Sequence, residues 1–564
     1  MMSSKSGLKF IIVGGVAGGM SAATRARRLS ESASITVFEK GPYVSYANCG
    51  IPYSLGEVIQ KEESLILNTP KSFKDRYNLD VHIDSEVVKI DPQQKTVDVR
   101  VQGEKTIERY AWDKLVLSLG AEPFLPPLKG IDLPHVFTLQ TIPDLRRIRC
   151  ALQDSTCVKH VAVIGGGFIG LEAAENIKGL GFEVSILEAA PQVFTLVDHD
   201  IAERIHTELR ANGVSVHLRV NIKEIQPGHV MLGSGETVPA DVVIAAVGVR
   251  PRTSLARDAG LKIGSSGAVS VDHFMRTSHP DIYAVGDMVE TENRVLDRAL
   301  PLALAGPAAR QGRIAVDHAL GILKEGYRGN VGTSICKVFG LAVASVGTSA
   351  RVLQQMGKKP LWVTVYPPSH AGYYPGAQPL SLRVIFEPES GRLLGAQVVG
   401  KEGVDKQIDV LAMAMQAGMS ISDLEHLELA YAPPYGSAKS PVNMAGFVGT
   451  NVLRGIVRIM HPEELVSSGF PLESIQLLDV RSPEEFGRGH IPGAVNISVN
   501  TLRERMDELD KNKYTVVYCG VGYRGYLAYR MLEQNGFEQV VNLDGGTSLF
   551  FSGGFDLNSR KTLQ

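Results

Sequence analysis

Short apolar segments that end in glycine recur along the chain and predict the buried strands of parallel sheets. Phe10–Val13 and His160–Ile164 each lead into a glycine-rich turn, which a stretch of small and apolar residues follows. About twenty residues later a second strand pattern appears in both places, at Ser34–Phe38 and Glu183–Leu187, and each ends in an acidic residue. This order of strand, turn, helix and strand predicts an α/β protein.

The first glycine-rich turn has the composition of a dinucleotide-binding turn. Glycine lets the backbone approach a pyrophosphate, the helix N-terminus favours its charge, and the acid accepts hydrogen bonds from ribose hydroxyls. Val16 occupies the middle glycine position of the usual fingerprint, so the motif departs from the pattern there. The predicted cofactor-binding residues of this turn are Gly14, Gly15, Ala17, Gly18, Gly19, Glu39 and Lys40.

The second turn has every residue of the dinucleotide fingerprint. Gly165, Gly167 and Gly170 supply its glycines, and Glu188 ends the next strand. Two such units in one chain indicate two dinucleotides. A carboxylate at the position of Glu188 accepts the 2′-hydroxyl of NAD and repels the 2′-phosphate of NADP, so we expect NADH.

The composition is that of a globular chain with several domains. Of its 564 residues, 44% are hydrophobic and 21% are charged. The apolar runs have the length of strands, far below the roughly 20 residues that cross a bilayer, and no secretory pattern precedes the first strand. A net charge of −2 gives no electrostatic reason to expect nucleic acid or a membrane as partner. We expect a cytoplasmic protein.

Five cysteines, at positions 49, 150, 157, 336 and 519, are too scattered for a disulfide framework. No pair of them has the spacing of a zinc site, so we predict no metal centre. Each cysteine is therefore either a small buried residue or a reactive thiol, and its local sequence has to distinguish the two.

A third motif resembles the flavin-closing segment of flavoprotein reductases with two dinucleotide folds. It is Thr-Ser-His-Pro-Asp-Ile-Tyr-Ala-Val-Gly-Asp, at 277–287, and the strands at 115–120 and 242–248 are similar to that family's links between domains. The resemblance spans roughly residues 8–450. It implies FAD on the first fold and NADH on the second, with Asp287 holding the ribityl chain of the flavin.

Cys49 is the predicted redox centre. Disulfide reductases of this family commonly carry two cysteines four residues apart near the flavin, but the matching stretch, Ser-Tyr-Ala-Asn-Cys-Gly-Ile-Pro-Tyr at 45–53, has one. Cys49 must therefore cycle through a mixed disulfide, a persulfide or a sulfenic acid. Pro52 suits a first helical turn, which places Cys49 before a positive helix end that stabilises thiolate.

The stretch around Cys49 is similar to that of coenzyme A disulfide reductases. The resemblance implies that Ser45 and Asn48 contact coenzyme A, and it makes Lys439 a further candidate ligand. Ser21, Arg25 and Arg28 fall on one face of the first helix, where guanidinium groups would bind nucleotide phosphates. The family's asparagine–arginine pair near residue 310 is incomplete, since alanine occupies position 309.

Residues from about 330 to 450 resemble the dimerisation domain of the same family. Tyr373 and Tyr431 match two tyrosines that, in coenzyme A disulfide reductases, approach the cysteine from the other subunit. The resemblance therefore implies a homodimer with a shared active site, in which these hydroxyls donate hydrogen bonds or protons to a leaving thiolate.

The C-terminal part resembles a rhodanese domain through residues 475–481, 489–496 and 516–524. A strand leads to Cys519 in a six-residue loop whose glycines turn amides inward and whose Arg524 adds positive charge. These features stabilise a thiolate or a persulfide, so Cys519 is a second predicted catalytic residue. Cys150, Cys157 and Cys336 lack such surroundings, and we interpret them as structural.

The predicted fold class is α/β, with two Rossmann-like dinucleotide-binding domains, an α+β dimerisation domain and a C-terminal α/β rhodanese domain. The predicted boundaries are 1–112 for the first part of the FAD-binding domain, 113–157 for the FAD domain and crossover, 158–280 for the NAD-binding domain, 281–328 for the second part of the FAD-binding domain, 329–450 for the dimerisation domain, 451–460 for a linker and 461–564 for the rhodanese-like domain.

The predicted function is NADH- and FAD-dependent reduction of sulfur–sulfur bonds through Cys49, with Cys519 as persulfide carrier. Small sulfur compounds are the expected substrates, and we rank coenzyme A persulfide or polysulfide above coenzyme A disulfide. One alternative is an NADH oxidase or peroxidase with a sulfenic acid on Cys49. Another is a non-catalytic redox-sensing module that relays sulfur from Cys519 to a partner protein.

Overall fold

The chain divides into two units, seen in a computed structural model. The structure describes residues 7–101, 106–153, 158–322, 325–467 and 474–557. The first unit comprises Met1–Ala189 and Val220–Asn330, and the second comprises Ala190–Arg219 and Val331–Gln564. The predicted boundaries divide the chain more finely and stay predictions. Ala190–Arg219, which the sequence assigns to the NAD-binding domain, groups with the second unit.

Helices and strands are interspersed along the whole chain. The first are β1 Lys9–Val13, α1 Ala17–Leu29, β2 Ser34–Phe38, α2 Ile51–Leu55, α3 Pro70–Tyr77, β3 Asp80–His82, β4 Ser85–Asp91, β5 Thr96–Val101, β6 Ile107–Ala111, β7 Lys114–Leu117 and β8 Ala121–Pro123. Next come β9 Val136–Phe137, α4 Ile142–Gln153, β10 His160–Ile164, α5 Phe168–Gly179, β11 Glu183–Glu188, α6 His199–Ala211, β12 Val214–Leu218, β13 Ile222–Gln226, β14 Gly228–Leu232, β15 Thr237–Ala240, β16 Val242–Ala245 and β17 Val249–Pro251. Then follow α7 Ser254–Asp258, β18 Val269–Ser270, β19 Ile282–Ala284, β20 Val289–Asn293, β21 Arg298–Pro301, α8 Ala305–Ala319, β22 Ser334–Val338, β23 Leu341–Gly347, α9 Ala350–Gln355, β24 Leu361–Val365, β25 Leu380–Phe386, β26 Leu393–Gly400, α10 Val404–Gln416 and α11 Pro441–Leu453. The last are β27 Ile459–Met460, α12 Pro462–Ser467, β28 Ile475–Asp479, α13 Pro483–Gly487, β29 Val495–Asn496, α14 Leu502–Arg505, β30 Tyr514–Tyr518, α15 Tyr523–Glu533, β31 Val540–Leu543 and α16 Gly546–Ser552.

The first parallel sheet brings the glycine turn and its acid to one edge. Its strands lie in the order β19, β7, β1, β2, β3, and neighbouring strands are parallel. Val13 pairs with Phe38 and with Leu117, so the carboxyl ends of three strands coincide, and ligands of α/β sheets bind at this edge. Helix α1 packs on α8, where a Cβ on Gly312 would lie 2.3 Å from the Gly18 carbonyl oxygen.

A second parallel sheet in the same unit repeats this arrangement. It contains the consecutive strands β11, β10, β16 and β9, in which Ile164 pairs with Leu187 and with Ala245. The carboxyl ends of β10, β11 and β16 therefore also coincide, and α5 begins there. The unit also contains two antiparallel meanders, β4–β6 and β13–β15, and a mixed three-stranded sheet in the order β18, β20, β21.

The second unit contains an antiparallel sheet with strands in the order β22, β23, β26, β25, β24. Every residue of β25 and β26 is buried, so both faces of the sheet are covered. Arg383 on β25 forms buried ion pairs with Asp198 and Asp200 at the start of α6, and its Nη1 lies 2.9 Å from Asp200 Oδ1. A buried charge needs such partners, and these pairs explain why α6 groups with this unit.

A third parallel sheet, in the order β27, β31, β30, β28, β29, forms the C-terminal part of the second unit. Asp544, which follows β31, accepts the Thr364 N–H at 3.1 Å, and Trp362 stacks on His461 with ring centroids 3.8 Å apart. The predicted α/β class is confirmed by these parallel sheets beside one large antiparallel sheet. Within the described ranges, no helix is long and apolar enough to cross a bilayer.

Two candidate sulfur sites and the dinucleotide turns

The first glycine turn requires glycine at two positions. Gly14 has a φ of +106°, and a Cβ there would lie 2.1 Å from the Ser118 carbonyl oxygen. A Cβ on Gly19 would lie 1.8 Å from the Gly14 carbonyl oxygen. Helix α1 begins after Val16, whose apolar side chain cannot cap it, so its first N–H groups are left to bind a phosphate. The turn fits the dinucleotide predicted for it.

Glu39 is held by its own turn. Its carboxylate accepts the N–H of Gly15 at 2.7 Å and that of Gly41 at 2.8 Å. Desolvation by burial raises the pKa of Glu39, and these two backbone hydrogen bonds act in the opposite direction. The Lys40 ammonium lies 2.8 Å from Glu86, so this predicted cofactor ligand has a protein partner at the surface.

The second glycine turn repeats the geometry of the first. Gly165 has a φ of +101°, and a Cβ there would lie 2.5 Å from the Ala246 carbonyl oxygen. A Cβ on Gly170 would lie 2.0 Å from the Gly165 carbonyl oxygen. The Gly166 N–H donates to Glu188 Oε2 at 2.7 Å, as Gly15 does to Glu39.

Gly167 differs from the other glycines of this turn. Its φ of −80° is ordinary, and a Cβ there would meet none of the described atoms within 4 Å. The fold itself therefore does not require glycine at this position, whereas a pyrophosphate lying against the start of α5 does. This open space fits the predicted nicotinamide dinucleotide.

Asp287 lies at the same sheet edge as the first glycine turn, because it follows β19, whose Ala284 pairs with Leu117. Its carboxylate is half-buried, and desolvation raises its pKa. In the described part of the chain this carboxylate has neither a hydrogen bond nor an ion pair. A partly desolvated acceptor without a protein partner fits the hydroxyl-bearing chain of the predicted flavin.

Cys49 lies in a single 3₁₀ turn, Asn48–Gly50, directly before α2. The residue is exposed, and Asn48 Oδ1 lies 3.0 Å from its backbone nitrogen and 3.6 Å from its Sγ. Ser45 has a φ of +49°, which is uncommon for serine, and its N–H donates to the Gly15 carbonyl oxygen at 2.8 Å. The cysteine loop is thus attached to the first glycine turn.

The pKa of the Cys49 thiol is raised. Desolvation is the largest cause, and the negative charges of Glu172 and Asp287 follow. The sequence-based expectation of a stabilised thiolate considered only the helix that follows Cys49, and α2 has just five residues. In the structure the two carboxylates and the surrounding protein outweigh that short helix, so the thiol form is favoured more than in a free cysteine.

Glu172 on α5 is a candidate site residue that the sequence did not reveal. The Tyr53 hydroxyl donates to its Oε1 at 3.1 Å, and desolvation raises its pKa. Its position two residues after Gly170 is visible in the sequence. Its proximity to Cys49 is not, because it depends on how α2 packs against α5.

The predicted coenzyme A ligands on α1 have different surroundings. The Ser21 hydroxyl donates to the Ala17 carbonyl oxygen at 2.6 Å. Arg25 makes a two-point ion pair with Asp317 on α8, with distances of 2.6 Å and 3.0 Å. Arg28 is exposed to solvent. Because Asp317 holds the Arg25 guanidinium, Arg28 is the more accessible cation for a phosphate.

The second unit brings together the two predicted catalytic tyrosines. The hydroxyls of Tyr373 and Tyr431 lie 2.9 Å apart, although 58 residues separate them in sequence. Both side chains are exposed, by 76% and 50%, so the pair is accessible to a ligand. The hydrogen bond with Tyr431 raises the pKa of Tyr373. Lys439 is exposed and lies beside Ser440, the N-cap of α11.

Cys519 follows β30 and is only 1% exposed. Its Sγ accepts the N–H of Gly522 at 3.2 Å, and Gly522 has a φ of +103° that suits glycine. A Cβ on Gly546 would lie 2.2 Å from the Cys519 carbonyl oxygen, so a second glycine lets the neighbouring turn pack against the loop. The loop thus gives a buried sulfur one backbone N–H donor at the start of α15.

Arg524 lies beside this loop but has an acidic partner. Its two terminal nitrogens each lie 2.7 Å from a carboxylate oxygen of Glu485 on α13. Glu485 and then Cys519 are the neighbours that raise the pKa of Arg524. The sequence predicted the cation but not the carboxylate that pairs with it.

The remaining cysteines differ from one another. Cys336 is buried, in agreement with a structural interpretation, whereas Cys150 is exposed on α4. Cys157 lies outside the described residues.

Three protein-family models match the chain. The pyridine nucleotide-disulphide oxidoreductase model matches residues 8–312, and the dimerisation domain of the same group matches residues 333–440. A rhodanese-like domain matches residues 465–552. The first match contains both glycine turns, Cys49 and Asp287, and the last contains Cys519.

Known proteins similar to this chain include the coenzyme A disulfide reductase of Staphylococcus aureus (strain JH9). It is 34% identical over 441 residues, which cover 78% of this chain and 99% of that protein. The structure of reduced Bacillus anthracis CoADR-RHD is 40% identical with a TM-score of 0.94, and the match covers 98% of this chain and 99% of that one. The NAD-dependent persulfide reductase from A. fulgidus is 36% identical with a TM-score of 0.90, and the match covers 96% and 100%.

Proposed function

Because this chain belongs to the pyridine nucleotide-disulphide oxidoreductase family, we propose that it uses NADH and FAD to reduce sulfur–sulfur bonds. The observation that carries the proposal is the exposed thiol of Cys49, on a loop that is hydrogen-bonded to a dinucleotide turn. A lone thiol at that place is suited to exchange with a sulfur–sulfur bond of a substrate.

The chain's own residues define the two cofactor sites. Gly14, Gly15 and Glu39 form the proposed FAD turn with Asp287 at the ribityl chain, and the turn that ends at Glu188 receives NADH. When bound, these cofactors supply the two electrons that return a Cys49 mixed disulfide to the thiol. The Glu188 carboxylate favours NADH over NADPH because it would repel a 2′-phosphate.

Cys49 performs the exchange. Its thiolate attacks one sulfur of a persulfide R–S–S–H, which forms a Cys49–S–S–R bond and releases the outer sulfur as sulfide. With a disulfide, the same attack releases a thiolate that must take up a proton. Asn48 and Ser45 position the loop. Desolvation and the nearby carboxylates raise the pKa of the Cys49 thiol, so the attack requires that the thiol first lose its proton.

We propose that coenzyme A persulfide and polysulfide are the main substrates and that coenzyme A disulfide is also reduced. The similarity to a persulfide reductase and the rhodanese-like domain support this order. In this proposal Cys519 carries sulfane sulfur, with Arg524 beside it. Ser45 and Asn48 remain proposed contacts for coenzyme A, as do Ser21, Arg25, Arg28 and Lys439.

The protein is proposed to work as a cytoplasmic homodimer in which Tyr373 and Tyr431 of one subunit serve Cys49 of the other. The matching dimerisation domain and the tyrosine pair support this arrangement. Two hydroxyls in hydrogen-bond contact provide a proton for a departing thiolate.

The test is a comparison of electron acceptors. NADH oxidation by the purified holoenzyme is measured with coenzyme A persulfide, polysulfide, coenzyme A disulfide, oxygen and hydrogen peroxide, each at several concentrations. We expect the highest kcat/KM with a sulfane-sulfur acceptor. A higher kcat/KM with oxygen or peroxide would identify an oxidase or peroxidase instead. NADPH replaces NADH in a parallel series, and equal or better turnover with it would contradict the role of Glu188.

A further inference from the structure

The positive charge beside Cys519 is already compensated within the domain. Arg524 lies at the loop, since a Cβ built on Gly520 would be 3.8 Å from its Nη2. Glu485 holds both terminal nitrogens of this guanidinium at 2.7 Å. The pair also lowers the pKa of Glu485 to about 2, so Glu485 stays ionised at neutral pH. Arg524 and Glu485 together therefore add no net charge to the site.

A second guanidinium at this sheet edge is compensated in the same way. Asp479, the last residue of β28, pairs with Tyr518, the last residue of β30. Arg481 follows β28 and Cys519 follows β30, so both lie at the same edge of the sheet. Arg481 Nη2 lies 2.6 Å from Asp479 Oδ2 and 2.7 Å from the Gly489 carbonyl oxygen. Its Nε and Nη2 donors are thus directed to groups of the protein.

The two most exposed side chains of the loop, Val521 and Tyr523, are uncharged. Val521 is 42% exposed and Tyr523 is 63% exposed, whereas Cys519 between the strand and these residues is 1% exposed. At the sulfur a donor meets the N–H of Gly522 and the Arg524 guanidinium, whose charge Glu485 already pairs. A multiply charged donor would lose hydration there without gaining an unpaired cation in return.

We propose that Cys519 accepts sulfane sulfur from a persulfide at the end of an uncharged, flexible arm, and that Glu485 sets this preference against dianionic donors by neutralising Arg524. The inference rests on the proposed function, in which Cys519 is a sulfur carrier. Glu485 is a specificity-determining residue, because it acts on the donor through Arg524.

The transfer balances without an added oxidant or reductant. The Cys519 thiolate attacks the outer sulfur of R–S–S–H, and a new S–S bond forms on Cys519. The S–S bond of the donor breaks, its electron pair stays on R–S⁻, and this thiolate takes a proton. With thiosulfate the thiolate attacks the outer sulfur in the same way and sulfite leaves, so the two donors differ in leaving group and in charge.

The test uses the full-length holoprotein with Cys49→Ser, so that flavin-linked turnover does not remove the sulfur from Cys519. Mass spectrometry follows the addition of one sulfur atom to Cys519 over time. The donors are N-acetylcysteamine persulfide, whose arm is uncharged, and thiosulfate, which is a dianion. We expect the persulfide, which carries at most one negative charge, to load Cys519 at least about tenfold faster than the dianion at equal concentration.

Glu485→Gln in this background tests the cause of the preference. Glutamine retains the capping interaction with Ser482 but loses the charge that pairs with Arg524. Loading from thiosulfate should rise about tenfold, and loading from N-acetylcysteamine persulfide should stay within about twofold. Glu484→Gln removes a neighbouring charge that has no ion pair with Arg524, so it is the matched control and should change neither rate.

The results distinguish a failure of the inferred preference from a failure of the proposed carrier function. Equal loading by both donors in the parent protein, or an unchanged ratio in Glu485→Gln, overturns the inference while Cys519 remains a sulfur carrier. An equal rise in Glu484→Gln overturns it as well, because general surface charge would then be the cause. If no donor loads Cys519 in any variant, the proposed carrier function fails together with the inference.

Discussion

Cys49 and Cys519 are two free thiols in opposite surroundings. Cys49 is exposed, and desolvation and the carboxylates Glu172 and Asp287 raise its pKa. Cys519 is buried, and its sulfur accepts a backbone N–H from Gly522. An exposed thiol suits exchange with a large substrate, whereas an enclosed sulfur with a donor suits storage of a single sulfur atom. In the proposed function, this difference assigns sulfur reduction to Cys49 and sulfur carriage to Cys519.

The largest expected effect comes from removing the Cys49 thiol. Cys49→Ser should lower NADH-dependent reduction of coenzyme A disulfide by about 1000-fold, because serine cannot form the mixed disulfide. NADH absorbance measures this rate. Cys150→Ser removes another exposed thiol and should leave it unchanged. If Cys49→Ser kept more than about a tenth of the parent protein's rate, the proposed separation of roles would be contradicted.

A smaller effect is expected from disturbing the enclosure of Cys519. Gly522→Ala places alanine at a φ of +103°, which strains the loop and moves the N–H that binds the sulfur. Sulfur loading of Cys519 should fall about tenfold, while reduction of coenzyme A disulfide stays the same. Gly536→Ala is the control, since Gly536 has a φ of +89° in the same domain and open space around it. Similar losses in both variants would show that strain alone, and not the lost N–H, is responsible.

The carboxylates near Cys49 provide a pH-dependent test. Glu172→Gln removes a negative charge that disfavours the thiolate, so the pKa of Cys49 should fall toward its ordinary value. The midpoint of iodoacetamide alkylation against pH should move down by about half a unit, with about threefold faster alkylation at neutral pH. Desolvation, the larger cause, remains. Glu183→Gln, at the start of β11, is the control and should leave the alkylation midpoint unchanged. An upward shift of the midpoint in Glu172→Gln would contradict the prediction.

The smallest expected effect concerns the tyrosine pair. Tyr373→Phe leaves the Tyr431 hydroxyl in place, so turnover with coenzyme A disulfide should fall only about twofold, while the double change with Tyr431→Phe should cost about tenfold. Tyr374→Phe alters an adjacent exposed tyrosine and controls for general effects on this surface. An equal loss in Tyr374→Phe would remove the case for a specific proton donor to the Cys49 site.

Features that depend on neighbours in sequence could be predicted. Gly14 and Gly165 need positive φ angles in strand–helix turns, and the acids that end the next strands, Glu39 and Glu188, follow at similar distances along the chain. The confirmed α/β class follows from the same patterns, because the sheets of β1 and β10 repeat one strand–turn–helix–strand motif.

Pairing between distant residues could not be predicted. Arg25 and Arg524 read as free cations in the sequence, but Asp317 and Glu485 hold them through contacts that exist only after helices pack. Glu172 approaches Cys49 for the same reason. Hydropathy and motif spacing carry no information about which carboxylate a guanidinium will meet.

The hydrogen bonds of 2.7 Å from Gly15 to Glu39 and from Gly166 to Glu188 have a thermodynamic consequence. Each fixes the rotamer of its acid before any ribose arrives. The rotamer entropy of such a side chain, about 0.5–1.5 kcal/mol, is thereby lost during folding rather than during association. Cofactor capture then starts from an acceptor that is already oriented, and dissociation releases little side-chain freedom.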